Sequence, residues 1–217
     1  MRLLSSSDMQ ENGVKGAHPG SVLKILDGAL RAIGDMGARR LSMSDISEAS
    51  GVSRGTLYRY FSSKEEVLAA VSEFVCVSFE DGIRAVGQGI DDPIERFRTV
   101  MRFFAQFTTE RSPERIFEIE PAFHLDFFRS HFNRHKAAVR DALNPVFDHF
   151  DLLTQSPIDR DGFVETLVRL QLSTLIVPAS AQWMELWDAS PDTLEEWALK
   201  ISSNMDGQAA HSRERMN

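Results

Sequence analysis

LSMSDISEASGVSRGTLYRYFSSK, residues 41–64, is the stretch from which the rest of the chain is read. Ser42 can cap a helix, with Asp45 three residues on as an acidic variant of the capping box. Ile46 and Ala49 point inward from that short helix. Gly51 falls where the chain must turn sharply, since glycine reaches positive φ without Cβ strain. Val52 plugs the angle between two helices, and Ser53 caps the second. Leu57 and Tyr60 or Phe61 return to the core. Two short helices joined by a tight Gly-containing turn predict a helix-turn-helix.

The second helix of such a motif lies in the DNA major groove and meets base edges with its N-terminal residues. Here it is small and polar: Arg54, Gly55, Thr56, Tyr58, Arg59. Small residues permit close approach, and Arg can pair with guanine bidentately. Tyr and Thr hydroxyls suit phosphate oxygens. The next helix begins at Ser62-Ser63-Lys64, where N-terminal amides and Lys64 can hold a phosphate. Ser42, Ser44, Ser53 and Tyr60 complete the candidate DNA-contact set.

This segment resembles the N-terminal DNA-binding domain of the TetR family of bacterial regulators. The matching residues are Gly37-x-x-x-Leu41-Ser42, Asp45-Ile46, Ala49-x-Gly51-Val52-Ser53, Gly55-Thr56-Leu57-Tyr58, Tyr60-Phe61 and Lys64-Glu65. They fall between about Ser21 and Val71. Two departures are Arg59, where the family often has histidine, and Ser47, where alanine is commoner. The resemblance implies a homodimer on a pseudo-palindromic operator, with a larger helical domain that binds a small ligand and dimerises.

The rest of the chain carries helical signals and no persistent strand alternation. Val22, Ile25, Leu26, Ala29, Leu30 and Ile33 form one stripe, with Ser21 as a plausible N-cap. A long helix is expected from near Ser62 to Val86, broken by Gly87-Gln88-Gly89. Asp92-Pro93 opens another, and Ser112-Pro113 and Glu120-Pro121 read as two further starts. Pro145 is expected to kink or split its helix. Phe163–Val177 is apolar nearly all round, so burial on more than one side is expected, and Pro178 ends it. A last helix is expected over Pro191–Met205, with Leu194, Trp197, Ala198 and Ile201 on one face. The fold class is all-α with about nine helices: a disordered extension over 1–17, a three-helix head over 18–66, a helical ligand-binding and dimerisation domain over 67–205, and a disordered tail over 206–217.

The net charge of −8 opposes a nucleic-acid partner at first sight. Its distribution does not: Lys15 to Glu66 holds eight Lys/Arg against six Asp/Glu, so the acid belongs to the body. One cysteine, Cys76, cannot form an internal disulfide and reads as a small buried hydrophobe in a reducing compartment. No apolar run approaches the ~18–20 residues of a membrane span, and the N-terminus has no apolar signal core. A cytoplasmic protein with no membrane partner is expected. No nucleophile–base set, metal cluster or phosphate loop is visible, so neither an enzyme nor a cofactor is expected.

The resemblance places a ligand cavity between about Phe74 and Trp183. Candidate wall residues are Phe103, Phe104, Phe107, Phe117, Phe123, His124, Phe127, Phe128 and Trp183, with plain core packing as the alternative for each aromatic. As a set they favour an apolar or aromatic effector. The resemblance likewise assigns a four-helix dimer interface to the helices carrying Phe163, Leu167, Leu170 and Thr174, and Leu194, Trp197 and Ile201. His131 and His135 have metal-ligand spacing, yet Arg129, Arg134 and Lys136 around them point to a solvated basic face and no metal. The leading reading is a ligand-released repressor. An activator or architectural DNA-binder without an effector remains open, and an all-α enzyme carrying this head is more remote.

Overall fold

The computed structural model describes residues 20–111, 119–174, 176–177 and 179–214, with side chains excluded at 108–111 and 201–214. The described residues form eight helices and no strand: α1 (Gly20–Met36), α2 (Met43–Ser50), α3 (Arg54–Tyr60), α4 (Lys64–Gly87), α5 (Pro93–Arg111), α6 (Pro121–Thr154), α7 (Arg160–Ser173) and α8 (Ala181–Glu214). The chain divides into two compact units. A head combines Met1–Val77 with Arg115–Arg129, and a body combines Ser78–Glu114 with Ser130–Asn217. None of these helices is long and apolar enough to cross a membrane.

In the head, α1 buries Val22, Ile25, Leu26, Ala29 and Ile33 of the expected stripe, with Ala32 added and Leu30 only half-buried. The helix stops at Gly37, whose φ of +83° favours glycine and whose amide bonds Ile33 O at 2.9 Å. Gly28 lets α1 touch α2 backbone to backbone: a Cβ there would lie 2.5 Å from Ser50 Cα and N. Ile46, Leu57, Val67 and Val71 close the core from α2, α3 and α4.

In the body, the core gathers Phe79 and Ile83 of α4, Phe97, Val100, Met101, Phe103 and Phe104 of α5, Leu143, Val146 and Phe147 of α6, Val164 and Val168 of α7, and Trp187 and Ala198 of α8. Asp92 caps α5 through Glu95 N at 2.8 Å, with Pro93 as its first residue, as the Asp-Pro pair predicts.

Two proline expectations differ from the structure. Of the kink or split expected at Pro145, the split does not occur, since Pro145 lies inside the continuous α6. Its ring sits on the exposed side while Leu143, Val146 and Phe147 stay buried, so water can satisfy the carbonyl that loses its amide partner. Pro191 lies inside α8, which starts ten residues earlier than its Pro signal predicts, at Ala181. The carbonyl orphaned by Pro191 is Trp187 O, and the Ser190 hydroxyl donates to it at 2.8 Å. A third difference concerns α7. It begins at Arg160 and buries one face only, through Val164, Leu167, Val168 and Gln171. Leu170 is 41% exposed in the single chain, so the expected burial on several sides is not met within it.

Candidate nucleic-acid interface

The helix-turn-helix is assembled by local hydrogen bonds that the sequence pattern specifies. Ser42 Oγ accepts from Asp45 N at 3.3 Å, and Asp45 Oδ2 accepts from Ser42 N at 2.9 Å and from Ser42 Oγ at 2.6 Å. These bonds to the ionised form hold the Asp45 carboxyl below its usual range. Gly51 ends α2 with φ +66°, its amide donating to Glu48 O. Ser47 donates to Val52 O at 2.6 Å, so one of the two residues that depart from the family pattern braces the turn. Ser53 Oγ accepts from Thr56 N at 3.2 Å and shares a 3.0 Å bond with the Thr56 hydroxyl.

These bonds sort the expected contact residues. Ser42, Ser53 and Thr56 spend their hydroxyls on capping. Arg54 donates to the Ser44 hydroxyl across from α3 to α2. Arg59 lies over the Tyr60 ring with its guanidinium carbon 5.0 Å from the centroid. Tyr58 is 55% exposed, a large aromatic that the head leaves uncovered. Leu57 between these residues is fully buried, so α3 turns one face inward and its polar residues outward.

Lys64, expected to hold a phosphate, lies at the foot of the motif. Its Nζ donates to Ala38 O and Arg39 O, both at 3.2 Å, and so pins the turn between α1 and α2. Within the head, Glu120 holds the same turn by accepting from Arg39 N at 2.9 Å. The side chains of Arg39 and Arg40 project exposed from this pinned turn, just before the α2 cap. Neither is among the contact residues expected above, although two adjacent arginines before a capped helix are a signal for them. Just before α4, the amide of Ser62 donates to Glu66 Oε2 at 2.7 Å.

The expected ligand-wall residues divide between the units. Phe103 and Phe104 are buried in the body, gathered with Phe107 around Phe79 at centroid distances of 6.1, 5.7 and 5.1 Å. Trp183 stacks on Trp187 at 6.2 Å, also in the body. Phe123, His124, Phe127 and Phe128 belong to the head unit, where Phe123 packs against the core. Burial lowers the His124 pKa against the pull of Glu120. Phe117 lies outside the described residues.

The His131–His135 region is not the solvated basic face expected. His135 meets the Phe79 ring edge-on at 5.1 Å, Arg134 pairs with Glu80, and Lys136 lies 3.5 Å from Glu165. Burial pushes the His135 imidazole down to about 4, with His131 and Arg134 adding to the effect and Glu80 opposing it. Among the described residues no three His, Cys, Asp or Glu side chains gather as a metal site.

Of the expected dimer residues, Leu167 is buried in the body core, and Phe163 and Leu194 pack against it. Thr174 donates to Gln171 O at 2.7 Å, while Leu170 and Trp197 face outward, Trp197 with 61% exposure. The Ile201 side chain is outside the described set.

An all-α chain with a capped helix-turn-helix head and a separate helical body belongs to the helix-turn-helix class of proteins. Residues 25–71 match the family described as "Bacterial regulatory proteins, tetR family". The HTH-type transcriptional regulator BetI of Rhizobium meliloti is 33% identical over 87 residues, 40% of this chain and 43% of that one. The chain thus matches less than half the length of that curated relative. Apo AibR has the same fold over 78% of this chain and 95% of its own, with a TM-score of 0.57 and 22% identity. AibR in complex with isovaleryl coenzyme A and operator DNA covers 80% and 97%, with a TM-score of 0.54 and 21% identity. Residues 25–71 are thus similar to the DNA-binding head of the TetR family, and the likeness to AibR extends the shared fold over the helical body.

Proposed function

We propose that this protein is a DNA-binding transcriptional regulator, a repressor that binds a pseudo-palindromic operator as a homodimer and is released by an apolar or aromatic small molecule. The observation that carries the reading is the outward face of α3, where Arg54, Gly55, Tyr58 and Arg59 stand over a buried Leu57. Each head inserts α3 into a major groove, with half-sites about one helical turn, ~34–36 Å, apart. Tyr58 and Arg59 take phosphate oxygens, and Arg39 and Arg40 add two cations from the pinned turn. Ser42, Ser53 and Lys64 act mainly by holding the motif in shape.

The body supplies the other two parts. The aromatic group of Phe79, Phe103, Phe104 and Phe107 with a neutral His135 suits an apolar effector with one polar group. Leu170, Ile176, Val177, Leu186 and Trp197 are all exposed in the single chain, which favours a second copy as their cover. The AibR complex, solved with a coenzyme A ester and operator DNA, supports the pairing of the two activities on this fold.

The test is a mobility shift with DNA upstream of the protein's own gene, repeated across salt concentrations. Wild type is expected to bind with a steep salt dependence. Tyr58→Ala is expected to lose at least about tenfold in affinity, the scale of one good contact. The pair Arg39→Ala and Arg40→Ala is expected to flatten the salt slope by about 0.9 per lost phosphate contact. Wild-type affinity in the Tyr58→Ala variant overturns the contact assignment.

A further inference from the structure

Arg54 and Gly55 open the exposed α3, and each has a feature that the head's own packing does not require. The Arg54 guanidinium reaches back to α2 and donates through Nη2 to the Ser44 hydroxyl. Held there, it loses rotamer freedom while its remaining N–H groups stay available. Ser44, the second residue of α2, supports no cap and closes no turn; the caps are Ser42 and Ser53.

Gly55 is unlike the other glycines of the motif. Gly51 needs its positive φ, and Gly28 would drive a Cβ into the Ser50 backbone. Gly55 has neither constraint: its φ is not in the left-handed region, and a Cβ would meet nothing within 4 Å. Glycine in a helix is a poorer helix former than alanine. The head therefore carries a residue that weakens α3 and that its own contacts do not demand. Its use lies outside the chain, where a partner surface comes close.

We propose that Ser44, Arg54 and Gly55 form one base-reading unit. Ser44 holds one side of the guanidinium so that its free edge meets O6 and N7 of a guanine in each half-site, and Gly55 provides the clearance for that approach. Arg54 is the specificity-determining residue, and Ser44 is a positioning residue acting through it. The inference rests on the DNA-binding reading above.

The full-length protein is used to select from a randomised duplex pool, and the selected site is then titrated with every single-base substitution. Wild type is expected to prefer guanine at one position of each half-site by roughly ten- to hundredfold, as a bidentate Arg–guanine pair allows. Arg54→Ala and Arg54→Lys lose that preference, because lysine keeps the charge without the fork. Ser44→Ala loses several-fold of it at that same position and leaves binding to unrelated duplex unchanged. Gly55→Ala melts a few degrees higher than wild type and binds the selected site at least tenfold more weakly.

A uniform loss across all sequences in Ser44→Ala makes Ser44 a phosphate contact and overturns the positioning role. Wild-type affinity in Gly55→Ala overturns the clearance. If wild type selects no sequence at all, the DNA-binding reading itself fails. That result is distinct from selection that Ser44→Ala and Gly55→Ala leave untouched.

Discussion

His135 shows what one side chain does to the pH response of the body. Its ring lies against Phe79, with His131, Arg134 and Glu80 as its charged or titratable neighbours, and its pKa is about 4. In the unfolded chain it returns to about 6.5. Between these values the unfolded chain takes up a proton that the folded one refuses, so stability falls as pH drops below about 6.5 and levels off near 4. The full effect is on the order of 3 kcal/mol. Urea titrations at intervals from pH 7.5 to 4.5 are expected to show this slope in wild type and a much flatter one in His135→Gln. An equal slope in both removes His135 as the cause. The sequence shows Arg129, Arg134 and Lys136 along the same helix; the carboxylates that pair with Arg134 and Lys136, Glu80 and Glu165, come from other helices.

At the scale of elements, the contact of α1 with α2 rests on the absence of one methyl group. Ala is the better helix former by about 1 kcal/mol, so local propensity alone favours Gly28→Ala. The Ser50 backbone stands 2.5 Å from the added Cβ, and backbone cannot step aside as a flexible side chain can. Gly28→Ala is expected to destabilise the head by about 1–3 kcal/mol, as overpacking does. Thermal unfolding checks it, and an unchanged or raised melting temperature contradicts the close approach. The prolines teach the complementary lesson. Asp92-Pro93 does open α5, whereas Pro191 follows Asp188 and Ser190 in a similar setting and does not open α8. The difference is a hydroxyl that satisfies Trp187 O and a flank anchored by buried Trp187 and Ala198.

At the scale of the whole molecule, the proposed homodimer is argued from the exposed apolar residues of α7 and α8. Leu170, Leu186 and Trp197 are exposed by 41%, 63% and 61% in one chain, on helices whose other residues fill the body core. The 24.4 kDa chain is expected to sediment at twice that mass. Trp197→Glu, which puts a charge into the face, is expected to yield monomers at micromolar concentration. It is also expected to lower operator affinity about a hundredfold or more, because two heads no longer bind as a linked pair. A folded Trp197→Glu variant that remains dimeric places the interface elsewhere.

The head was legible in residues 41–64 because its structure is local. A serine cap, a turn glycine and apolar residues three and four apart act within a few residues of themselves, so one sequence carries them whole. The all-α class was legible for the same reason. Tertiary structure decided what depends on distant partners. It set Lys64 against the carbonyls of Ala38 and Arg39, presented Arg39 and Arg40 from a pinned turn, and joined Arg54 to Ser44. It also neutralised the basic run around His135 and carried two helices through proline. Periodicity tells which face of a helix is apolar; only packing tells what lies opposite that face.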